Sequence, residues 1–268
     1  MSGNPSSYEL YPLPAAHGAA EDLLRQASRK HMIHAFIELD VTLPRRFLRQ
    51  HRDRTGQALS FTAFVVTCLA KAVDQDKRMH AYRNWRNRLV AFDEVDVNTM
   101  VEREVNGQRV GRPNILRAAN LKSYLQLHSE IRAAQQVQTE AIAGMQWFRW
   151  AAPFGRLPAF VRGWVWRIVA WNPQWIKAFA GTVGVTAVGM FAPGAGWGMT
   201  VPLLTLNAVL GGIAAKPRVV EGRIEPREIL HVTLSFDHDV IGGAQAARFT
   251  QRFKELVESA NCLADLKR

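Results

Sequence analysis

The sequence predicts an α+β fold on three observations. Residues 31–41 alternate, with Ile33, Ala35, Ile37, Leu39 and Val41 on one side and His34, Glu38 and Asp40 on the other, as in a strand with one buried face. Phe61, Phe64, Val65, Cys68, Leu69 and Ala72 recur instead at the helical period, and so do Ala246, Phe249, Phe253, Leu256, Val257 and Ala260. Strands and helices follow one another without the βαβ regularity of a doubly wound sheet.

Each element has its own justification. The start, MSGNPSSYELYPLPAAHG, lacks the charged beginning and apolar stretch of a secretory signal, so residues 1–27 read as a flexible or docking arm and the cytoplasm is the expected compartment. Beyond the first strand, Thr42 is placed to cap a basic helix with Pro44 in its first turn, and Ser60 to cap a second. Residues 88–118 read as two or three strands, with a turn at Asn106-Gly107 dividing Val97 to Val105 from Arg109 to Leu116. Asn120 opens a helix that runs to about Glu140. From Ala178 to Ala215 there is no Asp, Glu, Lys, Arg or His, a length that raises a membrane span. Eight glycines with Pro193 and Pro202 would interrupt any helix there, and the reading is a pair of buried strands joined by a glycine-rich loop. A turn at Glu221-Gly222, a strand to Phe236 and a helix from about Gly243 to Ala260 follow, with residues 263–268 as a charged tail.

With 268 residues and 48% hydrophobic content, the chain can bury a full core, read as one domain over residues 28–262. Lys and Arg outnumber Asp and Glu by 34 to 23, a net charge of +11 that calls for an anionic partner. A nucleic acid, an acidic membrane surface or a phosphate-rich cofactor such as coenzyme A would each fit. The lack of a helix-turn-helix spacing, a zinc finger or an aromatic RNA-binding motif argues against nucleic acid. Cys68 and Cys262 are the only cysteines and have no neighbours at metal-ligand spacing, so neither a disulfide framework nor a zinc site is expected.

The least ordinary segment is an insert at about residues 145–180. Six of the eight tryptophans lie between Trp147 and Trp175, and no acidic residue occurs between Glu140 and Glu221. Arg156, Arg162, Arg167 and Lys177 interleave with Trp164, Trp166, Trp171 and Trp175. That mixture suits an apolar helical lid, peripheral contact with a membrane, or stacking on bases.

The chemistry-bearing constellation is SFDHDVIGGAQAARF: a strand, then His238 between Asp237 and Asp239, a Gly-Gly turn and a helix. A histidine at a strand end can enter a cleft, and its near-neutral pKa suits proton transfer, although a lone histidine is more often structural. The segment resembles the signature of the 2-oxo acid dehydrogenase acyltransferases and the related chloramphenicol acetyltransferases, a histidine followed four residues later by aspartate and then glycine. His238 and Gly243 match, while Gly242 occupies the aspartate position. GTVGVTAVG, residues 181–189, is similar to the strand that carries the family's oxyanion-stabilising Ser or Thr, and Thr186 falls at that place. SFTAFVVTCLAKAV, VDVNTMVER and AANLKSYLQLHSEIR also resemble family elements in order, so the similarity covers roughly residues 28–262.

The resemblance implies a two-layer sandwich of a mixed sheet with helices on one face, a homotrimer with its sites between subunits, and coenzyme A or acyl-CoA as substrate without a metal. It implies His238 as general base and, from a different chain, Thr186 as oxyanion donor. Asp237 or Asp239 would have to replace the missing aspartate. The alternative is a catalytically degenerate trimeric binding or assembly module, with Gly242 as its marker. The lipoyl-bearing and partner-binding domains of the complex subunits are not expected in this chain, and its charged ending argues against large cages.

Overall fold

The computed structural model of the chain describes residues 8–11, 17–105, 108–136, 154, 157–189 and 194–266. The expected turn at Asn106-Gly107, the helix end near Glu140, Trp147, Trp150 and Arg156 lie outside these residues. Strands β1 (Met32–Asp40), β4 (Val97–Val105), β5 (Gln108–Leu116), β6 (Val183–Ala187), β7 (Leu206–Val220) and β8 (Arg223–Asp237) form one sheet in the order β1-β8-β7-β6-β4-β5. The β4/β6 and β6/β7 pairs are parallel and the others antiparallel, which makes the sheet mixed. Strands β2 (Tyr82–Arg83) and β3 (Leu89–Val90) pair apart from it.

The residues of β1 explain its place. Leu39 is buried and Ile33, Ala35 and Ile37 pack on the core, whereas Phe36 is exposed. Helices α2 (Thr42–Thr55), α3 (Phe61–Gln75), α4 (Tyr124–Gln136) and α7 (Gly243–Glu258) make the helical layer. Helix α3 lies inside it, buried from Ala63 to Val73 except at Lys71, and begins where Ser60 Oγ accepts the Ala63 N–H at 3.2 Å. Helix α7 turns Ala246, Phe249, Phe253 and Val257 inward, with Phe249 edge-on to Phe236 of β8.

Two expected caps are otherwise employed. Thr42 is already helical, and its hydroxyl accepts the Glu228 N–H of β8 at 2.8 Å. The α4 helix starts at Tyr124, after a 3-10 turn over Ala119–Leu121. Asn120 there accepts the Val95 N–H and donates to Asp74 and to the Asp93 carbonyl. At the chain's end Leu263, the first residue of the expected tail, is fully buried.

The charge-free stretch forms β6, the glycine-rich loop and the first half of β7, and among the described residues no helix is long and apolar enough to cross a membrane. Gly211 and Gly212 stand at a register shift in β7, where the loop's backbone lies on the strand and a Cβ on either would collide with Gly194 or Gly196 carbonyls. The β7–β8 hairpin turns through Glu221 and Gly222, both at positive φ (48° and 79°), the geometry of a two-residue hairpin turn.

A second, smaller layer covers the other face. Val97 and Val101 of β4 are buried toward the helices, so the alternate residues Asn98 and Met100 face away from them. Three helices lie there: α1 (His17–Ala27) from the expected arm, and α5 (Ala159–Trp171) and α6 (Pro173–Ala180) from the insert. Asp22 of α1 and Arg162 of α5 form a nearly buried ion pair at 2.5 Å. Arg117 donates to the Lys177 and Ala178 carbonyls at the end of α6 and to Asp96, tying the insert to the start of β6.

Candidate active site

His238 occupies the turn between β8 and α7, and its backbone is clamped. Its N–H donates to the His31 carbonyl at 2.7 Å, and the Asp237 carbonyl accepts the N–H groups of Val240 and Ile241. The buried Asp237 carboxylate accepts the Asp239 N–H at 3.1 Å and pairs with Lys30 at 3.0 Å. Asp239 pairs with His31 at 3.0 Å. Neither aspartate therefore replaces the missing family carboxylate: their side chains stabilise the turn instead of the imidazole. The His238 ring is exposed, and no group among the described residues bonds to it. Gly242 is the N-cap of α7, in extended conformation (φ −74°, ψ 155°), with no side-chain cap and open space where a Cβ would stand.

Thr186 lies on β6 between β4 and β7. Val183 and Val185 are buried in the core, and by strand alternation Gly184 and Thr186 face the second layer. Gly184 is required because Asn207 lies across it: a Cβ would come 2.5 Å from Asn207 Oδ1. The amides of Asn207 and Asn98 are held by the Leu204 and Ala180 carbonyls. The Thr186 hydroxyl has no hydrogen-bond partner among the described residues and borders a cavity of about 430 Å³. Trp166, Val169, Ile176 and Phe179 of the insert, Met100 and Leu203 supply much of its apolar wall. Trp166 is braced edge-on by Phe154 and Phe179. The described part of the insert therefore lines this cavity with apolar side chains.

One protomer does not bring the two predicted residues together. Thr186 is in register with Val209, and Val209 with Thr233, five residues before His238. Two strand spacings and five residue rises place the Cα atoms about 19 Å apart. A single reacting carbonyl needs both within roughly 3 Å.

Other residues of the site carried no local signal. Lys30 and His31 meet the His238 turn across β1 and β8, some 200 residues away in sequence, and Asn98 and Asn207 meet at the cavity only through sheet pairing. His80 is structural: buried, bonded to Thr182 Oγ1 and the Phe92 carbonyl, and pushed down to about 4 chiefly by desolvation.

Residues 180–264, from the last residue of α6 through Thr186, His238 and α7, match the family described as 2-oxoacid dehydrogenases acyltransferase (catalytic domain). The chain resembles that catalytic domain. The dihydrolipoyllysine-residue succinyltransferase component of 2-oxoglutarate dehydrogenase complex 1 of Arabidopsis thaliana is 35% identical to this acyltransferase-like chain over 92 residues. The match covers 31% of the chain and 20% of that relative's length. A probable dihydrolipoamide acetyltransferase of Listeria monocytogenes superposes with TM-score 0.67 at 16% identity over 96% of both chains. The dihydrolipoamide acetyltransferase of Azotobacter vinelandii gives 0.68 at 18% identity, over 96% of this chain and 94% of its own. These likenesses establish the fold, the α+β sandwich expected from the sequence. In the Azotobacter enzyme the catalytic roles probed are those of a serine, a histidine and an asparagine four positions after the histidine. The same spacing from His238 falls on Gly242.

Proposed function

We propose that this chain moves an acyl group between a coenzyme A thioester and a thiol, hydroxyl or amine acceptor, at sites completed between protomers of a homotrimer. The observation that carries the reading is a histidine with a clamped backbone and an exposed, unbonded ring. Thr186, also unbonded, is too far away to meet it within one chain. His238 takes the acceptor's proton as its sulfur, oxygen or nitrogen attacks the thioester carbonyl. The Thr186 hydroxyl of the adjoining protomer donates to the oxyanion. On collapse the bond from carbonyl carbon to coenzyme A sulfur breaks, and the proton passes from His238 to the departing thiolate. Coenzyme A is here a substrate, and no step calls on a metal.

The test is release of free thiol from acetyl-CoA and longer acyl-CoAs, with and without dihydrolipoamide. His238→Ala should lower the rate on the order of 100- to 10,000-fold; equal rates in wild type and variant would overturn the assignment. A second reading, a degenerate trimeric binding or assembly module, is favoured by one observation. Gly242 offers no carboxylate, and Asp237 and Asp239 are bound elsewhere. No turnover together with no coenzyme A binding would favour it.

The insert supports a further role, peripheral contact with an anionic membrane. Phe160, Trp164, Arg167 and Trp171 follow one another at helical spacing on α5 and all are exposed. Trp85 and Trp175 are exposed nearby, with Arg86 over the Trp85 ring. Cosedimentation with phosphatidylglycerol vesicles should be strong at low salt and weak in Trp164→Ser/Trp171→Ser. Equal sedimentation of the two proteins would refute it.

A further inference from the structure

From the wall of the cavity beside Thr186 we infer that the acyl group handled by this site is an apolar chain of medium length, held under the tryptophan-rich insert. The inference rests on the acyl-transfer reading above and names the substrate class of that same site. Thr186, the residue placed to meet the carbonyl oxygen, opens on one side into about 430 Å³ of space. This lies within the range of roughly 300 to 1,000 Å³ usual for small-molecule pockets. An acyl chain extending from a carbonyl at Thr186 into this space would meet Met100, Leu203, Trp166, Val169, Ile176 and Phe179 in its walls.

Electrostatics disfavours a dicarboxylic acyl group against the described walls of this space. Among the described lining residues the one charged side chain is Lys30, and its ammonium is engaged by the Asp237 carboxylate at 3.0 Å. A second carboxylate in the cavity would be desolvated with no free cation among the described lining residues to meet it, and a group so placed is strongly disfavoured. The succinyltransferases that share sequence with part of this chain act, by their names, on such a dicarboxylic group, so this cavity implies a different preference. The walls are also preformed. The Asp22–Arg162 pair and the Arg117 contacts to Lys177 and Ala178 fix α1, α5 and α6 before any chain enters, which lowers the entropic cost of binding.

The experiment measures kcat/KM for thiol release from acetyl-, butanoyl-, hexanoyl-, octanoyl-, dodecanoyl- and succinyl-CoA. Each methylene buried against an apolar wall is worth about fourfold. With about half of the six methylenes added between acetyl and octanoyl buried, the ratio is on the order of 60-fold, and succinyl-CoA should fall below butanoyl-CoA. Val169→Trp, which projects a larger ring from α5 into the cavity, should move the optimum to shorter chains. Should that variant not fold, calorimetry on His238→Ala with non-hydrolysable thioether analogues carries the same test, since octanoyl should bind more tightly than acetyl. A flat chain-length profile, or preference for succinyl-CoA, overturns the inference while leaving acyl transfer intact. Tight binding of the octanoyl analogue without turnover by the wild type supports the cavity and sinks the transferase reading. No chain-length dependence in either rate or binding, as when a second copy of the chain covers the cavity, also overturns the inference.

Discussion

Asp237→Ala tests how the site is built. The carboxylate side chain is 7% exposed and that of its partner Lys30 24%. Removing one member of a buried ion pair costs about 3 to 5 kcal/mol. The Lys30 ammonium can regain water through its exposed portion, which brings the cost to the lower end. Loss of the acceptor for the Asp239 N–H contributes about 1 kcal/mol more, so the sum is about 3 to 4 kcal/mol. For a chain of this size that lowers the melting temperature by roughly 6–15 °C. Adding Lys30→Met should recover about 1–2 kcal/mol, because the unpaired ammonium is gone. Asp237→Asn, which keeps an acceptor for the Asp239 N–H, should lie between wild type and Asp237→Ala. Because His238 follows directly, loosening the turn should also cost on the order of 10- to 100-fold in kcat/KM through misplacement of the ring. Urea unfolding and thiol release are the assays. A loss under about 0.5 kcal/mol with unchanged activity would show that the clamp does not hold the His238 turn.

Gly242→Asp places a capping carboxylate at the start of α7 in open space, so it should stabilise by about 0.5 kcal/mol and change thiol release only moderately; a marked loss of stability would mean that the position is covered. His80 is held near 4, below its ordinary 6.5, so the unfolded chain binds the proton first as pH falls. Stability is therefore present above about pH 6.5 and lost toward pH 4, by about 3 kcal/mol. His80→Asn should flatten that part of a urea-unfolding series against pH, and an unchanged slope would contradict the assignment.

Much of the fold was legible because several elements carry their own periodicity. The alternation of β1, the apolar faces of α3 and α7 and the Ser60 cap are local patterns, and each has its expected form. The charge-free stretch resolved into two strands because its glycines and prolines exclude a long helix. Thr42 and Asn120 were misread for one reason: a hydroxyl or amide beside a helix start satisfies a cap locally, but here β8 and the Asp74–Val95 region offered other partners. Residues 17–27 could be read as an arm because α1 gains its place from Asp22 meeting Arg162, 140 residues away. At the site, Thr186 was visible only through family resemblance, whereas His238 stood out locally as a histidine at a strand end and gained its role from that resemblance. The insert's composition suggested an apolar cover, but the wall of the cavity was not legible, since it comes from α1, α5, α6, β4 and β6 together.

If His238 and Thr186 act from different chains, subunit mixing restores activity that neither variant has alone. His238→Ala and Thr186→Ala proteins, each inactive or nearly so, are unfolded together, refolded in equal amounts and assayed for thiol release. In a random mixture of trimers, a site with wild-type His238 from one protomer and wild-type Thr186 from its neighbour arises in about one quarter of cases, given one interface type around a threefold axis. Recovery of about a quarter of wild-type activity is therefore expected. Activity no greater than the mean of the two parents, in a mixture shown to contain mixed trimers, would contradict it.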